Sequence, residues 1–600
     1  MRIPSPIGIL RAILARAGAM PDDPDGLVEA APRVPIPGII RRFAPFIRPY
    51  ARWLLIGLVP VAILPVIETI EIWLFQVVVD QVLVPRDLDA LPTLVVAFVG
   101  LTLASGALSY ADDVIGTRVA ASFTLDVRTA LFANLLRQPP DALDTRRLGD
   151  VLSRLSGDVG AVEGLMVDGA SALVSAVLRM VFFAGAMLLI DAELAVVSLL
   201  LAPLFWGAAR LFASTARKVA RERRRRSGTL LALAEESLGH VALVQASGQE
   251  AAELARFDRE GAAVAEGAVA AARVRSLLLP VVDVIEVLGA LVITGLGTLA
   301  LAADRVTLGE LLVFLTYLTQ LYRPVRDLGE LTTVAFAAAG GAERIIEVLD
   351  QAPGVMERPG ARDPGRALGD VALDHVGYAY PGAGQALDDV SLVFPAGSVT
   401  AVVGPSGAGK STLVKLLLRF ADVTSGRVLL DGEDVRELTL HGLRRNVGVL
   451  LQEIHVLDTS LVENVRYARP DATDAEVEGA LAAADAAGFT ASLGKGGATR
   501  LAQKGRRLSG GERQRIGIAR LLVQDAPVVV LDEPTAALDR ETAARVMRAI
   551  RVALAGRTII LVTHDPVAME VADRVVRLER GRLVTADEAT WTSAGAVVAA

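Results

Sequence analysis

The stretch Gly404-Pro-Ser-Gly-Ala-Gly-Lys-Ser411 decides how the last third of this chain folds. Its glycines let backbone N–H groups close around phosphate oxygens, Lys410 adds a positive charge, and Ser411 offers a hydroxyl to Mg²⁺ at a helix N-terminus. Alone, the loop says only that a nucleotide binds. Downstream, Leu508-Ser-Gly-Gly-Glu512 places a Ser-Gly-Gly turn at the start of a helix expected over 511–522, a second ready-made anion site. The run Val528-Val-Val-Leu-Asp-Glu533 follows. Its apolar part reads as a buried parallel strand, so Asp532 and Glu533 should emerge at the carboxyl end, where α/β sheets bind ligands.

Taken together, these residues resemble the ATP-binding cassette (ABC) family over nearly the whole chain. Leu508-Ser-Gly-Gly-Glu-Arg-Gln-Arg515 is similar to the family's signature sequence, which implies that Ser509, Gly510 and Gly511 complete the ATP site of an opposite cassette. The resemblance implies a phosphate cradle of Gly404, Pro405, Ser406, Gly407, Ala408, Gly409, Lys410, Ser411 and Thr412, with ATP and Mg²⁺ as the bound groups. It makes Ser411, Gln452 and Asp532 the metal-side residues. Glu533 would polarise the attacking water, with His564 as the switch histidine near the γ-phosphate and Gln452 sensing metal and water. Tyr380 would stack on adenine, and Asp539, in Ala536-Ala-Leu-Asp539, would communicate across a dimer. Two positions depart from the family pattern. Gln503 stands where relatives usually carry a glutamate that touches the membrane domain, and Leu450-Leu451 precedes Gln452 where a small residue or proline is commoner.

Composition identifies the remainder. The 600 residues are 52% hydrophobic, with a mean hydropathy of +0.47, and the apolar excess lies before about residue 340. Six stretches, 53–79, 91–117, 165–190, 194–213, 277–302 and 308–334, are long enough to cross a hydrocarbon core of about 30 Å. The short links at Arg86-Asp-Leu-Asp89, Asp191-Ala-Glu193 and Asp304-Arg305 are collectively acidic. The opposite side holds Arg41, Arg42, Arg118, Arg128, Arg137, Arg146, Arg147, Arg210, Arg217, Lys218 and the run Arg221 to Arg226. The positive-inside rule then places both termini and the ATPase part in the cytosol of a cell, with a bacterial plasma membrane as the expected location. A net charge of −7 argues against reading the arginine run as a nucleic-acid patch. With no cysteine in the chain, disulfides and thiolate metal sites are excluded.

Proline-free, helix-forming sequence continues past the second span to Pro139, and from Phe212 through to Pro280, so these helices should extend well into the cytosol. Between them, residues 144–158 resemble the first intracellular coupling region of ABC exporters, and residues 235–245 resemble the second. The expected fold is therefore an α-helical membrane domain of six transmembrane helices plus an α/β P-loop NTPase cassette. The expected divisions are an N-terminal tail over 1–38, the membrane domain over 39–345, a linker over 346–368, the cassette over 369–585 and a C-terminal tail over 586–600.

Ionisable residues inside the spans are the only ones that speak to cargo: Glu68, Glu71, Asp112, Asp113, Arg179, Asp283 and Glu286. Glu68 with Glu71, and Asp283 with Glu286, share helix faces and suggest an acidic cavity for cationic or amphipathic cargo. The competing reading is that they pair with Arg179 or lie at wet helix ends. The expected function is ATP-driven export of a small or amphipathic drug, lipid or peptide-like substrate by a dimer of half-transporters, a homodimer more readily than a heterodimer. Three alternatives stand beside it. One is an importer built on the exporter fold; another is a soluble cassette ATPase, which the six spans oppose; the third is a non-transporting channel, which an intact Glu533 opposes.

Overall fold

The computed structural model describes residues 13, 16, 36–144, 148–200, 202–380, 382, 384–501, 508–536 and 538–584. Gln503, Arg146, Arg147 and almost all of the two expected tails lie outside them. The chain forms two compact units, one of residues 1–136 and 143–352, the other of residues 137–142 and 353–600.

The first unit is helical. Among the described residues, four helical stretches are long and apolar enough to cross a membrane: Pro37–Leu83, Leu91–Leu135, Gly149–Ile190 and Pro280–Ala302. A shorter apolar segment, Leu308–Leu321, opens the helix Leu308–Asp350. The expected fourth span, 194–213, overlaps the described helices Ala192–Leu199 and Ala202–Gly239. Three helices far exceed a bilayer: Leu91–Leu135 has 45 residues, Glu250–Ala302 has 53 and Leu308–Asp350 has 43. At 1.5 Å per residue these reach about 65–80 Å, so much of each must lie outside a hydrocarbon core of about 30 Å.

Among the described residues three buried clusters hold this unit, one of them small, of Phe212, Val219, Ala270 and Val274. Of the two larger, one gathers Phe183, Met187, Leu194, Ile293, Phe314, Tyr317 and Leu318, with the Tyr317 hydroxyl donating to Thr69 O at 2.6 Å. The other joins Ile39, Phe43, Phe123, Val127, Leu131, Val159, Val162, Ile345 and Val348. Outside them the surface is strongly apolar: Leu189 is 90% exposed, and Leu55, Val59, Val96 and Leu103 are also solvent-facing. Apolar exposure on this scale fits contact with lipid. Polar ties close the helix ends. Asp80 accepts from Thr307 Oγ1 at 2.6 Å and from Gly309 N at 2.9 Å, while Asp191 caps Leu194 N at 2.9 Å and accepts from Arg305 at 2.6 Å.

Glu68 does not stand free. Arg179 Nη2 donates to its Oε1 at 2.8 Å, and Glu71 accepts from Thr102 at 3.4 Å. For Glu68 this is the pairing with Arg179 that the sequence offered beside an acidic cavity, and a carboxylate neutralised by its own guanidinium offers little attraction to a cationic guest. Asp283 also has an interaction partner.

The second unit is built on two sheets. Its ten described strands are β1 Val371–Ala379, β2 Gln385–Phe394, β3 Val399–Val403, β4 Ser425–Leu430, β5 Glu433–Asp434, β6 Val447–Leu450, β7 Val528–Asp532, β8 Thr558–Val562, β9 Arg574–Glu579 and β10 Arg582–Val584. An antiparallel sheet runs β2-β1-β4-β5, and a larger one runs β10-β9-β3-β8-β7-β6, parallel throughout except for its β9-β10 hairpin. β8 is buried at every residue, and β7 at all but its last. That is why both read as continuous apolar runs without alternation. Neighbouring strands in the larger sheet are far apart in sequence, so residues separated by over a hundred positions end side by side at its carboxyl edge.

Candidate functional site at the carboxyl edge of the parallel sheet

The phosphate loop follows β3 and ends in the helix Lys410–Leu417. Gly409 is its N-cap, with φ of 104°, a backbone that a side chain rarely adopts, and a Cβ there would lie 2.7 Å from Ala386 O. At Gly404 a Cβ would come within 2.2 Å of Leu578 O. The loop is thus closed down to a width that only glycine permits, with the N–H groups of the following helix uncapped by side chains. That is a cradle for phosphate oxygens. Lys410 Nζ bends over it, donating to Gly404 O at 2.7 Å and Pro405 O at 3.0 Å. Pro405, Ser406, Gly407 and Ser411 are exposed, whereas Ala408 and Thr412 are buried and anchor the loop.

Asp532 and Glu533 emerge one strand beyond β8. Asp532 pairs in register with Val562. Its carboxyl sits above the ordinary aspartate range because burial and the neighbouring Glu533 disfavour its charge more than Lys410 favours it. Glu533 takes a left-handed backbone, φ 50°, and donates its N–H to Val562 O at 2.9 Å. This conformation is uncommon for glutamate and turns the side chain out of the strand direction. Its Oε1 lies 2.7 Å from His564 Nδ1; the histidine is 76% exposed and the glutamate only 10%. The structure therefore brings the residue expected to polarise water beside the expected switch histidine, although they are separated by 31 positions in sequence. A second bridge runs beside it, Thr535 Oγ1 donating to Asp565 Oδ2 at 2.7 Å. Sequence reasoning passed over this pair, since neither residue carries a distinctive neighbourhood of its own.

Gln452 is exposed and lies two residues past β6, whose carboxyl end is in register with that of β7, Leu450 opposite Leu531. The oxygens of Ser411, Gln452 and Asp532 are hard donors suited to Mg²⁺, which binds through one or two protein ligands plus phosphate and water. Among the described residues no group of three His, Cys, Asp or Glu side chains could hold a metal ion.

Ser509 caps the helix Gly510–Gln524 in a reciprocal capping box: Glu512 N donates to Ser509 Oγ at 3.2 Å, and Ser509 N donates to Glu512 Oε2 at 2.7 Å. The cap leaves Ser509 exposed and presents the N-terminus formed by Gly510 and Gly511. Asp539 likewise caps Arg540–Ala553, accepting from Thr542 N at 3.0 Å, and this holds its carboxyl below the ordinary range. Tyr380 follows β1; its hydroxyl lies 3.2 Å from Thr412 Oγ1 and its ring meets Tyr378 edge-on at 5.0 Å. Lys415 and Asp141 complete this aromatic corner, and sequence reading assigned neither a role.

Residues 54–325 match the ABC transporter transmembrane region, and residues 387–536 match the ABC transporter family's ATPase model. The chain is 30% identical over 563 residues to an ATP-dependent lipid A-core flippase of Xanthomonas campestris pv. campestris, covering 93% of this chain and 94% of that one. It is 28% identical over 561 residues to a putative multidrug export ATP-binding/permease protein of Bacillus subtilis, covering 91% and 96%. Among solved structures, a bacterial Atm1-family ABC exporter with ATP bound aligns with a TM-score of 0.78 at 26% identity, over 89% of this chain and 94% of that one.

Proposed function

The chain belongs to the ABC transporter family, and we propose that it is an exporter-type half-transporter whose two ATP sites are each completed by a second subunit. It is an ATPase-coupled transporter carrying its membrane and ATPase parts on one chain. The observation that carries the hydrolytic reading is the Glu533–His564 contact at the carboxyl edge of the sheet that also carries the phosphate loop. In this reading Gly404 to Thr412 hold the β- and γ-phosphates. Asp532, Ser411 and Gln452 supply oxygens toward Mg²⁺, which neutralises phosphate charge when bound. Glu533 orients and polarises the water, and His564 fixes the Glu533 carboxylate and reaches toward the γ-phosphate.

The turn Ser509-Gly-Gly, in which Ser509 is exposed and both glycines are half-buried, supports a composite site: its helix N-terminus would receive the phosphate of another copy. Since one chain supplies both a complete hydrolytic set and a complete signature, a homodimer suffices. ATP would close the pair and turn a cytosol-facing cavity outward, the shift being driven only by differential affinity for the two states. The arginine distribution supports a plasma-membrane protein with its cassette in the cytosol. Lipid-like or amphipathic cargo is favoured by the likeness to lipid A-core flippases.

The test is purification of the full chain with its native lipids, followed by reconstitution, determination of stoichiometry, and ATPase assays across a chemically diverse panel. Stimulated hydrolysis by a dimer, with outward movement of the stimulating compound in oriented vesicles, is expected. Hydrolysis no faster than that of Glu533→Gln would overturn the ATPase assignment, and inward movement would favour an importer.

A further inference from the structure

One short segment outside the cassette sequence packs with the cassette. Residues 137–142 belong to the second unit, although they continue directly from the long apolar helix Leu91–Leu135. Within this segment Asp141 lies in the helix Pro140–Asp144, and both of its carboxylate oxygens accept from Lys415 Nζ, at 2.7 and 2.8 Å. Lys415 stands on the helix that starts at the phosphate loop. The same ammonium lies 3.3 Å from the Tyr380 hydroxyl and 5.3 Å from the Tyr380 ring centroid. Thr412, on that helix, meets the Tyr380 hydroxyl as well, and Tyr378 closes on the ring edge-on. Asp141, Lys415 and Tyr380 therefore form a chain of direct contacts.

Each link has a physical role. Tyr380 lies beyond the end of β1, where no strand pairing fixes its ring, so side-chain contacts must set the ring plane. A cation over a tyrosine ring and beside its hydroxyl holds the ring, because it interacts with both the π-face and the oxygen dipole. Lysine on its own is a poor clamp, being a flexible stem with a strongly hydrated head. The bidentate contact with Asp141 restrains that head. Burial works to lower the Lys415 ammonium, but its bonds to Asp141 and Tyr380 outweigh this and leave it above its ordinary value, charged at neutral pH.

We propose that Asp141 is a positioning residue for nucleotide binding, fixing the ring of Tyr380 through Lys415 so that docking of the segment 137–142 sets the affinity for the adenine base. The inference rests on the reading of Tyr380 as the adenine platform. Because binding couplings are reciprocal, ATP in turn strengthens docking of residues 137–142 by the same factor.

Full-length chain in lipid nanodiscs serves for the test, with Asp141→Asn, Lys415→Met, Tyr380→Ala and the double variant Asp141→Asn/Tyr380→Ala assayed with ATP and with UTP. Adenine stacks on an aromatic ring over a larger area than uracil, so loss of the platform shows as loss of preference for ATP. A partly exposed charged pair gives an effect of about three- to fivefold. Asp141→Asn and Lys415→Met should each raise KM for ATP by about that factor, with kcat and the UTP constants held, and Asp141→Asn should add nothing once Tyr380 is alanine.

If Tyr380→Ala leaves the preference for ATP unchanged, the adenine-platform reading fails and takes the proposal with it. If Tyr380→Ala abolishes the preference while Asp141→Asn and Lys415→Met keep it, or if Asp141→Asn lowers kcat equally for ATP and UTP, the positioning role alone is overturned. Should Asp141→Asn fold poorly, Lys415→Met breaks the same link from the cassette side, and its KM decides.

Discussion

Glu533 holds a left-handed backbone, and the strain of that conformation is sustained by the N–H bond to Val562 O and the side-chain contact with His564. Glu533→Gln keeps size and backbone while removing the charge that polarises water. It should lower turnover by about 10²–10⁴-fold with ATP affinity retained, read as steady-state hydrolysis against nucleotide binding. Lys410→Ala should have the opposite signature, weakened binding before weakened chemistry. Gly409→Ala is expected to lose binding for a steric reason, since its φ of 104° and the 2.7 Å approach to Ala386 O leave no room for a methyl group. Parent-like nucleotide affinity in that variant would show that the loop can relax. At this scale the phosphate loop and Asp532 were legible because their chemistry is written in contiguous residues. The Glu533–His564 contact follows from the placement of β7 beside β8, and a string of letters does not contain that neighbour relation.

The helix Gly510–Gln524 shows at the scale of an element how one segment carries two duties. Its N-cap, Ser509, is satisfied within the helix, and its C-cap, Asp525, sits at φ 58° and accepts from Arg366 and Arg557, each at 2.8 Å. Ser509→Ala should cost about 0.5–2 kcal/mol of stability through the lost cap. If Ser509 also completes a partner's ATP site, hydrolysis should fall further than the shift in melting temperature explains. At the other end, burial works to raise the Asp525 carboxyl, but the hydrogen bond from Arg366 and the charges of Arg557 and Arg366 hold it below its ordinary value. A depressed carboxyl stabilises the fold above its unfolded pKa of about 3.9 and loses that contribution as pH falls through the folded value. Asp525→Asn suits the left-handed position and removes only the charge. Its deficit should stay below about 1 kcal/mol, given the exposure of the pair, be constant near neutrality, start to shrink as pH falls past about 4 and vanish only below the depressed folded value. A deficit that grows on acidification would contradict this assignment.

On the scale of the whole molecule, length and charge divide the labour: helices of 43 to 53 residues outreach a bilayer, and the parallel sheet places ATPase chemistry at one edge. Inside the helical unit Arg179 donates to Glu68 at 2.8 Å, and the pair predicts a stability effect. Glu68→Gln should leave Arg179 without its counter-ion and lower the thermal stability of the reconstituted protein. Adding Arg179→Met should recover part of that loss, because replacing both members of an ion pair costs less than orphaning one. Equal stability of the single variant and the parent, with selective loss of cationic cargo, would restore the acidic-cavity reading.

The sequence by itself determined the family, the two-part organisation and the candidates proposed for hydrolysis, because glycine spacing, apolar run length and terminal carboxylates are local properties. Tertiary structure alone decided which of these side chains meet. It set Glu533 against His564, neutralised Glu68 with Arg179, and gave residues 137–142 to the cassette, where Asp141 holds Lys415 beside Tyr380. The physical reason is the same in each case. Periodicity and composition fix what a segment buries, whereas a contact between distant residues depends on strand order and helix packing, which only the folded chain specifies.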